Sequence, residues 1–188
     1  MMILSTSELN KIKESFSFYD FNNHNSANGQ IIIRFNDDID AIRFDDIQFG
    51  GLPENFIEQA NILKDIVLDL IEYLSTGTII VAKYKYKWIM NKSKSPELAE
   101  MFHTKGIRTN FSGAINVNEK NILEYFTYSN FKYNSFTHFL IPNAKVIITP
   151  TDHLDLFITA NDMKNTLNAV RKMIDENDNY KVLSISKI

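Results

Sequence analysis

Lys145-Val146-Ile147-Ile148-Thr149-Pro150-Thr151-Asp152-His153-Leu154-Asp155-Leu156-Phe157-Ile158-Thr159-Ala160-Asn161-Asp162 is the stretch that decides the fold. Lys145 to Thr149 is rich in β-branched residues and stops at a proline. The spacing predicts a strand there, a turn over Pro150 to His153, and a second strand from Leu154 to Thr159. Two strands this close in sequence pair antiparallel. From about Asp162 the period changes, and Met163, Leu167, Val170 and Ile174 fall on one face of a helix. A last strand is expected from Lys181 to Ser186.

Working outward, the longest helical pattern opens at Pro53 and Glu54. It places Phe56, Ala60, Leu63, Val67, Leu70, Ile71 and Leu74 on one face, with Glu58, Asn61, Asp65, Asp69 and Glu72 on the other, and Gly77 ends it. Thr78 to Met90 reads as a long strand, with Ile80, Ala82, Tyr84, Tyr86 and Trp88 pointing one way and Lys83, Lys85 and Lys87 the other. Near the N-terminus, Ser5 and Glu8 have the spacing of a capping box ahead of a short helix carrying Leu9, Ile12 and Phe16. A polar loop from Asn22 to Gly29 follows, then a strand over Ile31 to Phe35 and another from Ala41 to Phe49. Ser95-Pro96-Glu97 starts a short helix, and Asn118 caps one carrying Ile122, Leu123 and Phe126. Ile107 to Val117 is ambiguous, and Tyr128 to Phe139 takes no assignment. Helices and strands alternate irregularly, with hairpins toward both ends. That pattern predicts an α+β protein with a mixed or mainly antiparallel sheet and helices packed against it, as a single domain over residues 1–188.

Charge is unevenly distributed. Residues 1–76 hold 13 Asp and Glu against 5 Lys and Arg, whereas residues 77–148 hold 10 basic against 4 acidic residues, within a net charge of −3. Separated charge of this kind bears on partners more than on fold. The most acidic stretch has five aspartates, Asp37, Asp38, Asp40, Asp45 and Asp46, in ten positions. It lacks the glycine and glutamate that an EF-hand loop requires. Two readings stay open: a solvated charged turn, or an anionic docking surface extended by Glu54 and Glu58, with Phe49 as its buried anchor.

Familiar catalytic designs are missing. The six glycines form neither GxGxxG nor GxxxxGK[ST], and Ser112 beside Gly113 is no nucleophile elbow. The chain has no cysteine, so neither disulfides nor thiolate sites enter. No cofactor or metal is expected. An absent h-region and the lack of a long apolar run lead us to expect a soluble cytoplasmic protein with no membrane partner. Asp152, His153 and Asp155 form the one His/Asp grouping that could serve a metal-dependent enzyme or a metal-binding protein. The Lys83–Lys87 row beside its tyrosines and Trp88 could bind nucleic acid. However, alternation sends lysines and rings to opposite faces, and the net charge is negative, so no nucleic-acid partner is expected.

The segment Val146 to Ala160 followed by the Asp162 helix resembles a hairpin-then-helix element of small bacterial immunity proteins, including those paired with contact-dependent growth-inhibition toxins. The similarity covers about 30 residues and consists of hydrophobic alternation around an acidic turn. It implies a non-enzymatic cytoplasmic protein that binds a cognate toxin domain and blocks its active site. The acidic N-terminal part suggests that the toxin is basic, such as a nuclease. No binding residue carries over by position, so the expected contacts, Asp37 to Glu58, rest on charge.

Overall fold

Ile31, Ile158, Ile148, Phe139, Val81 and Ile115 stand opposite one another across six neighbouring strands, forming one continuous apolar row. This row is the backbone of a computed structural model that describes residues 1–23, 25–36, 54–74, 77–89, 96–108, 110–133 and 137–188. The elements are β1 (Met2–Leu4), α1 (Thr6–Glu14), β2 (Tyr19–Asp20), β3 (Asn25–Ser26), β4 (Ile31–Phe35), α2 (Glu54–Leu74), β5 (Ile79–Ile89), α3 (Pro96–Thr104), β6 (Asn110–Val117), α4 (Lys120–Tyr133), β7 (Thr137–Ile141), β8 (Val146–Pro150), β9 (Leu156–Ala160), α5 (Met163–Glu176) and β10 (Leu183–Lys187). Eight strands form one sheet in the order β1-β6-β5-β7-β8-β9-β4-β10, and β2 pairs with β3 separately. Every pairing described is antiparallel. The fold is α+β.

One face of the sheet carries the larger core. Phe56, Leu63, Val67 and Leu70 of α2, Phe102 of α3, Phe126 of α4 and Val170 of α5 are all buried in the same cluster as the apolar row. Burying each such side chain stabilises the fold by roughly 1.5–3 kcal/mol before conformational entropy is charged. The other face bears a smaller cluster, in which Leu9, Phe16, Phe18 and Tyr19 cover Ile80, Ala82, Leu140 and Ile147. The capping box that opens α1 is present: Ser5 Oγ accepts from Glu8 N–H at 3.2 Å, and Ser5 N–H donates to Glu8 Oε2 at 2.7 Å. This holds α1 at the right place to turn Leu9 onto the sheet.

Strand β5 departs from simple alternation. Between Ala82 and Lys87 it advances five residues while its partner β6 moves only from Ala114 to Ser112. The three extra residues invert the inside–outside sequence, because an odd insertion swaps faces. Ile80 and Ala82 therefore lie in the smaller cluster, but Trp88 is fully buried in the larger one with Ile79 and Val81. The expectation that Ile80, Ala82 and Trp88 share a face is corrected by this bulge; the side chains of Tyr84, Lys85 and Tyr86 fall outside the described residues, as does the expected strand from Ala41 to Phe49. Opposite the bulge, Gly113 has φ 130°, and its carbonyl oxygen accepts from Trp88 Nε1–H at 3.2 Å. A Cβ on Gly113 would overlap the Leu4 carbonyl oxygen of β1 and approach the Ser5 carbonyl carbon to 3.0 Å. Only a glycine lets the edge strand come this close.

Of the two unassigned stretches, the first contains β6 and the second takes in the end of α4 and the start of β7. Asn130, buried near the end of α4, acts as a backbone substitute there. Its Nδ2 donates to the Thr137 carbonyl at 3.1 Å and its Oδ1 accepts from Thr137 N–H at 2.9 Å. The C-terminal hairpin also differs in detail from expectation. Its second strand starts at Leu156, and Leu154 sits in the turn with φ 56°.

Candidate functional site

Helix α2 is built so that its outward face is acidic. At about 100° per residue, Glu58, Asp65, Asp69 and Glu72 fall within a narrow arc opposite the one that buries Phe56, Leu63, Val67 and Leu70. Along α2, α3 and α4 there are eight acidic residues against three lysines. Part of this charge is answered internally. Glu72 Oε2 receives Lys120 Nζ at 3.0 Å, and this bond holds the Lys120 ammonium above the usual lysine range. Lys64 lies 3.5 Å from Asp65, and Asp69 Oδ2 accepts from Tyr180 Oη–H at 2.5 Å. Burial, followed by that carboxylate, pushes the Tyr180 phenol well above its ordinary value. Glu58 and Asp65 remain exposed.

Of the residues expected to make contacts, Asp37, Asp38, Asp40, Asp45, Asp46 and Phe49 lie outside the described residues. Glu54 opens α2 and is described through its backbone alone, and Glu58 stands one turn further along the same helix face. The acidic surface visible on α2 thus runs toward its C-terminal end, through Asp65, Asp69 and Glu72. Those three appeared in the sequence as the polar side of an amphipathic helix, and their alignment was the available signal.

Beside this stripe runs a groove. Late α2 meets early α4 where Lys120 Nζ bonds Glu72 Oε2. Between Asn61 and Lys64 of α2, Glu97 of α3, and Asn121, Glu124, Tyr125, Tyr128 and Ser129 of α4 lies a cleft of about 320 Å³. Ser129 is 3% exposed, and its Oγ has no hydrogen-bond partner. Glu97 is bound by Lys132 Nζ at 3.1 Å, and the same ammonium stands 5.6 Å from the centre of the Tyr128 ring.

The other candidates fare differently. Asp152, His153 and Asp155 are adjacent in the hairpin turn but do not converge, and they form no cluster able to hold a metal. His153 Nε2 is 3.9 Å from Asp152 Oδ1, whereas Asp155 faces Arg34 Nε at 3.5 Å. Burial raises the Asp155 carboxyl above its usual range, with Arg34 acting against that shift. The turn is held by its own backbone, since Thr151 N–H donates to the Asp155 carbonyl at 2.9 Å. In the lysine row, Trp88 is stacked on Phe111 with centroids 5.7 Å apart inside the core, where no base can reach it. Among the described residues, no helix is long and apolar enough to cross a membrane. Comparison of the chain with protein families, curated proteins and solved structures yields no match.

Proposed function

We propose that this chain is a non-enzymatic immunity protein that captures a cognate bacterial toxin domain of basic charge, such as a nuclease, through its acidic helical face. The observation that carries the reading is the aligned carboxylate stripe of α2, which leaves Glu58 and Asp65 exposed on one side of a rigid 21-residue helix. A rigid anionic row imitates a phosphate backbone and raises the association rate of a cationic partner by steering it. The Lys120 ion pair on Glu72 lowers the charge at the C-terminal end of the row, and the neutral Tyr180 phenol fixes Asp69 in place, so the end toward Glu58 is the part that steers. The acidic residues from Asp37 to Asp46 precede α2 in sequence and belong to the same reading.

The test is to co-express the chain with a candidate toxin domain from a neighbouring reading frame and to follow their binding by stopped flow. Protection of the cell is expected, together with an association rate that falls steeply between 50 and 300 mM salt. Replacing Glu58 and Asp65 by their amides should slow association several-fold with little change in dissociation. Capture that ignores both ionic strength and these amides would remove the docking assignment.

A further inference from the structure

Strand β10 ends the eight-stranded sheet, and among the described residues no strand pairs with its outer side. Its ladder to β4 fixes which backbone groups face outward. Gln30 N–H donates to the Ile188 carbonyl at 2.8 Å and Ile188 N–H to the Gln30 carbonyl at 3.0 Å, so these two form a hydrogen-bonded pair. The register runs unbroken from Lys187 opposite Ile31 to Leu183 opposite Phe35, and Asn36 N–H donates to the Val182 carbonyl at 2.8 Å. Val182, Ser184, Ser186 and Ile188 therefore turn their backbone groups toward β4. Leu183, Ile185 and Lys187 turn theirs to the open edge. Little of the usual edge protection is present: β10 has no proline, no bulge in its register, and one charge, Lys187, at its end.

We infer that this edge pairs with β10 of a second copy of the chain, antiparallel about a two-fold axis at Ile185. There Ile185 meets its own symmetry mate and Leu183 meets Lys187 of the other copy, so all the outward backbone groups are satisfied. A second observation selects a copy over a foreign strand. Val182 and Ile188 are 46% and 70% exposed, among the few large apolar side chains that the described residues leave in water. Alternation puts both on the sheet face away from Leu183, which is buried in the larger cluster. The two-fold register sets Val182 of one copy against Ile188 of the other, at the non-hydrogen-bonded positions where side chains come closest. No other two-fold register both pairs the outward residues among themselves and covers these two side chains. Ser184 then faces Ser186, and Lys187 never faces itself, so no like charges meet. The pairing does not depend on the toxin-binding reading.

An interface this small belongs to the weak class below about 1,200 Å² of buried surface, so a dissociation constant on the order of 100 μM is expected. Sedimentation equilibrium of the intact protein between about 10 μM and 1 mM should show the mass rising from 21.8 kDa toward twice that value. Amide exchange at the two ends of that range tests the geometry. The Ser184 and Ser186 amides, bonded to β4, should be protected throughout, whereas those of Leu183, Ile185 and Lys187 should exchange several-fold more slowly in the concentrated sample. Val182→Lys lies at an exposed position and should leave the melting temperature nearly unchanged while weakening association about tenfold. Adding Ile188→Glu to it should restore association and make it sensitive to salt, because the new charges face each other across the axis. A constant mass, association without slower exchange at those three amides, or Val182→Lys associating as tightly as the parent would each overturn the pairing. Protection of the same amides only in the presence of a toxin domain would give the edge to a toxin strand, and that too would overturn it.

Discussion

Gly113→Ala should be among the most damaging single-methyl additions available to this protein. Two costs combine. At φ 130° a Cβ forces a backbone conformation that L-residues rarely adopt, a penalty of about 1–3 kcal/mol. The new methyl also overlaps the Leu4 carbonyl oxygen, and because that atom belongs to the backbone, β1 must move. Overpacking of this sort costs about 1–3 kcal/mol more. The expected loss is therefore about 2–6 kcal/mol, large against the 5–15 kcal/mol that holds a typical domain together. Urea denaturation followed by far-ultraviolet circular dichroism measures it, and Gly106→Ala is the control. Gly106 has φ 65° but nothing within 4 Å of its new Cβ, so it should lose only about 1–2 kcal/mol. Amide exchange should also show Leu4 and Ala114, which are paired in β1 and β6, losing protection in the Gly113 variant alone. Equal losses in the two alanine variants, or undiminished protection at Leu4, would refute the close approach of β1 to β6.

Three other outcomes follow from the same reasoning. Asn130→Ala leaves the Thr137 N–H and carbonyl without their side-chain partners in a buried site, so a loss of about 2–4 kcal/mol is expected in urea titration, with the start of β7 exchanging first. Ser5→Ala removes one arm of the α1 capping box and should cost about 1 kcal/mol, read as a melting temperature lower by about 2–4 °C. Burial pushes the Lys13 ammonium down to about 8 beside the Phe21 ring, so between that value and the ordinary 10.5 the unfolded chain binds more protons and stability rises with pH. Lys13→Met should accordingly stabilise the protein at pH 7 by on the order of 1 kcal/mol after allowance for solvent screening, and the gain should fade as pH approaches 10.5.

The parts of the fold that were legible in the sequence are those with one wet and one dry side. Helices α2 and α5 stood out because their apolar period is 3.6 and their other faces are polar, and the capping box at Ser5 marked the start of α1. Strand β7 was hidden for the opposite reason. All five of its residues are buried, so there is no alternation to detect, and its register depends on Asn130 from the preceding helix. Strand β1 is three residues long, too short to show a period, and it exists because Gly113 lets it dock. The fate of Trp88 could not be read from alternation, since the bulge after Ala82 arises from pairing with β6. The candidate site divides in the same way. The carboxylate stripe is local to one helix and was visible as spacing. The cleft draws on three helices separated in sequence, and nothing in the pattern around Ser129 signals that its hydroxyl lacks a partner.

Trp88 is the chain's single tryptophan, fully buried between Phe111, Phe102 and Phe126 and tied by its indole N–H to Gly113. That makes the protein its own optical gauge. Excited selectively, it should emit in the blue when native and shift red once water enters between the sheet and helices α3 and α4. Leu9, Phe16 and Tyr19 belong to the opposite cluster, so fraying of the N-terminal cover should leave that emission unchanged while altering the tyrosine signal. Loss of the two layers can therefore be timed separately in one cuvette.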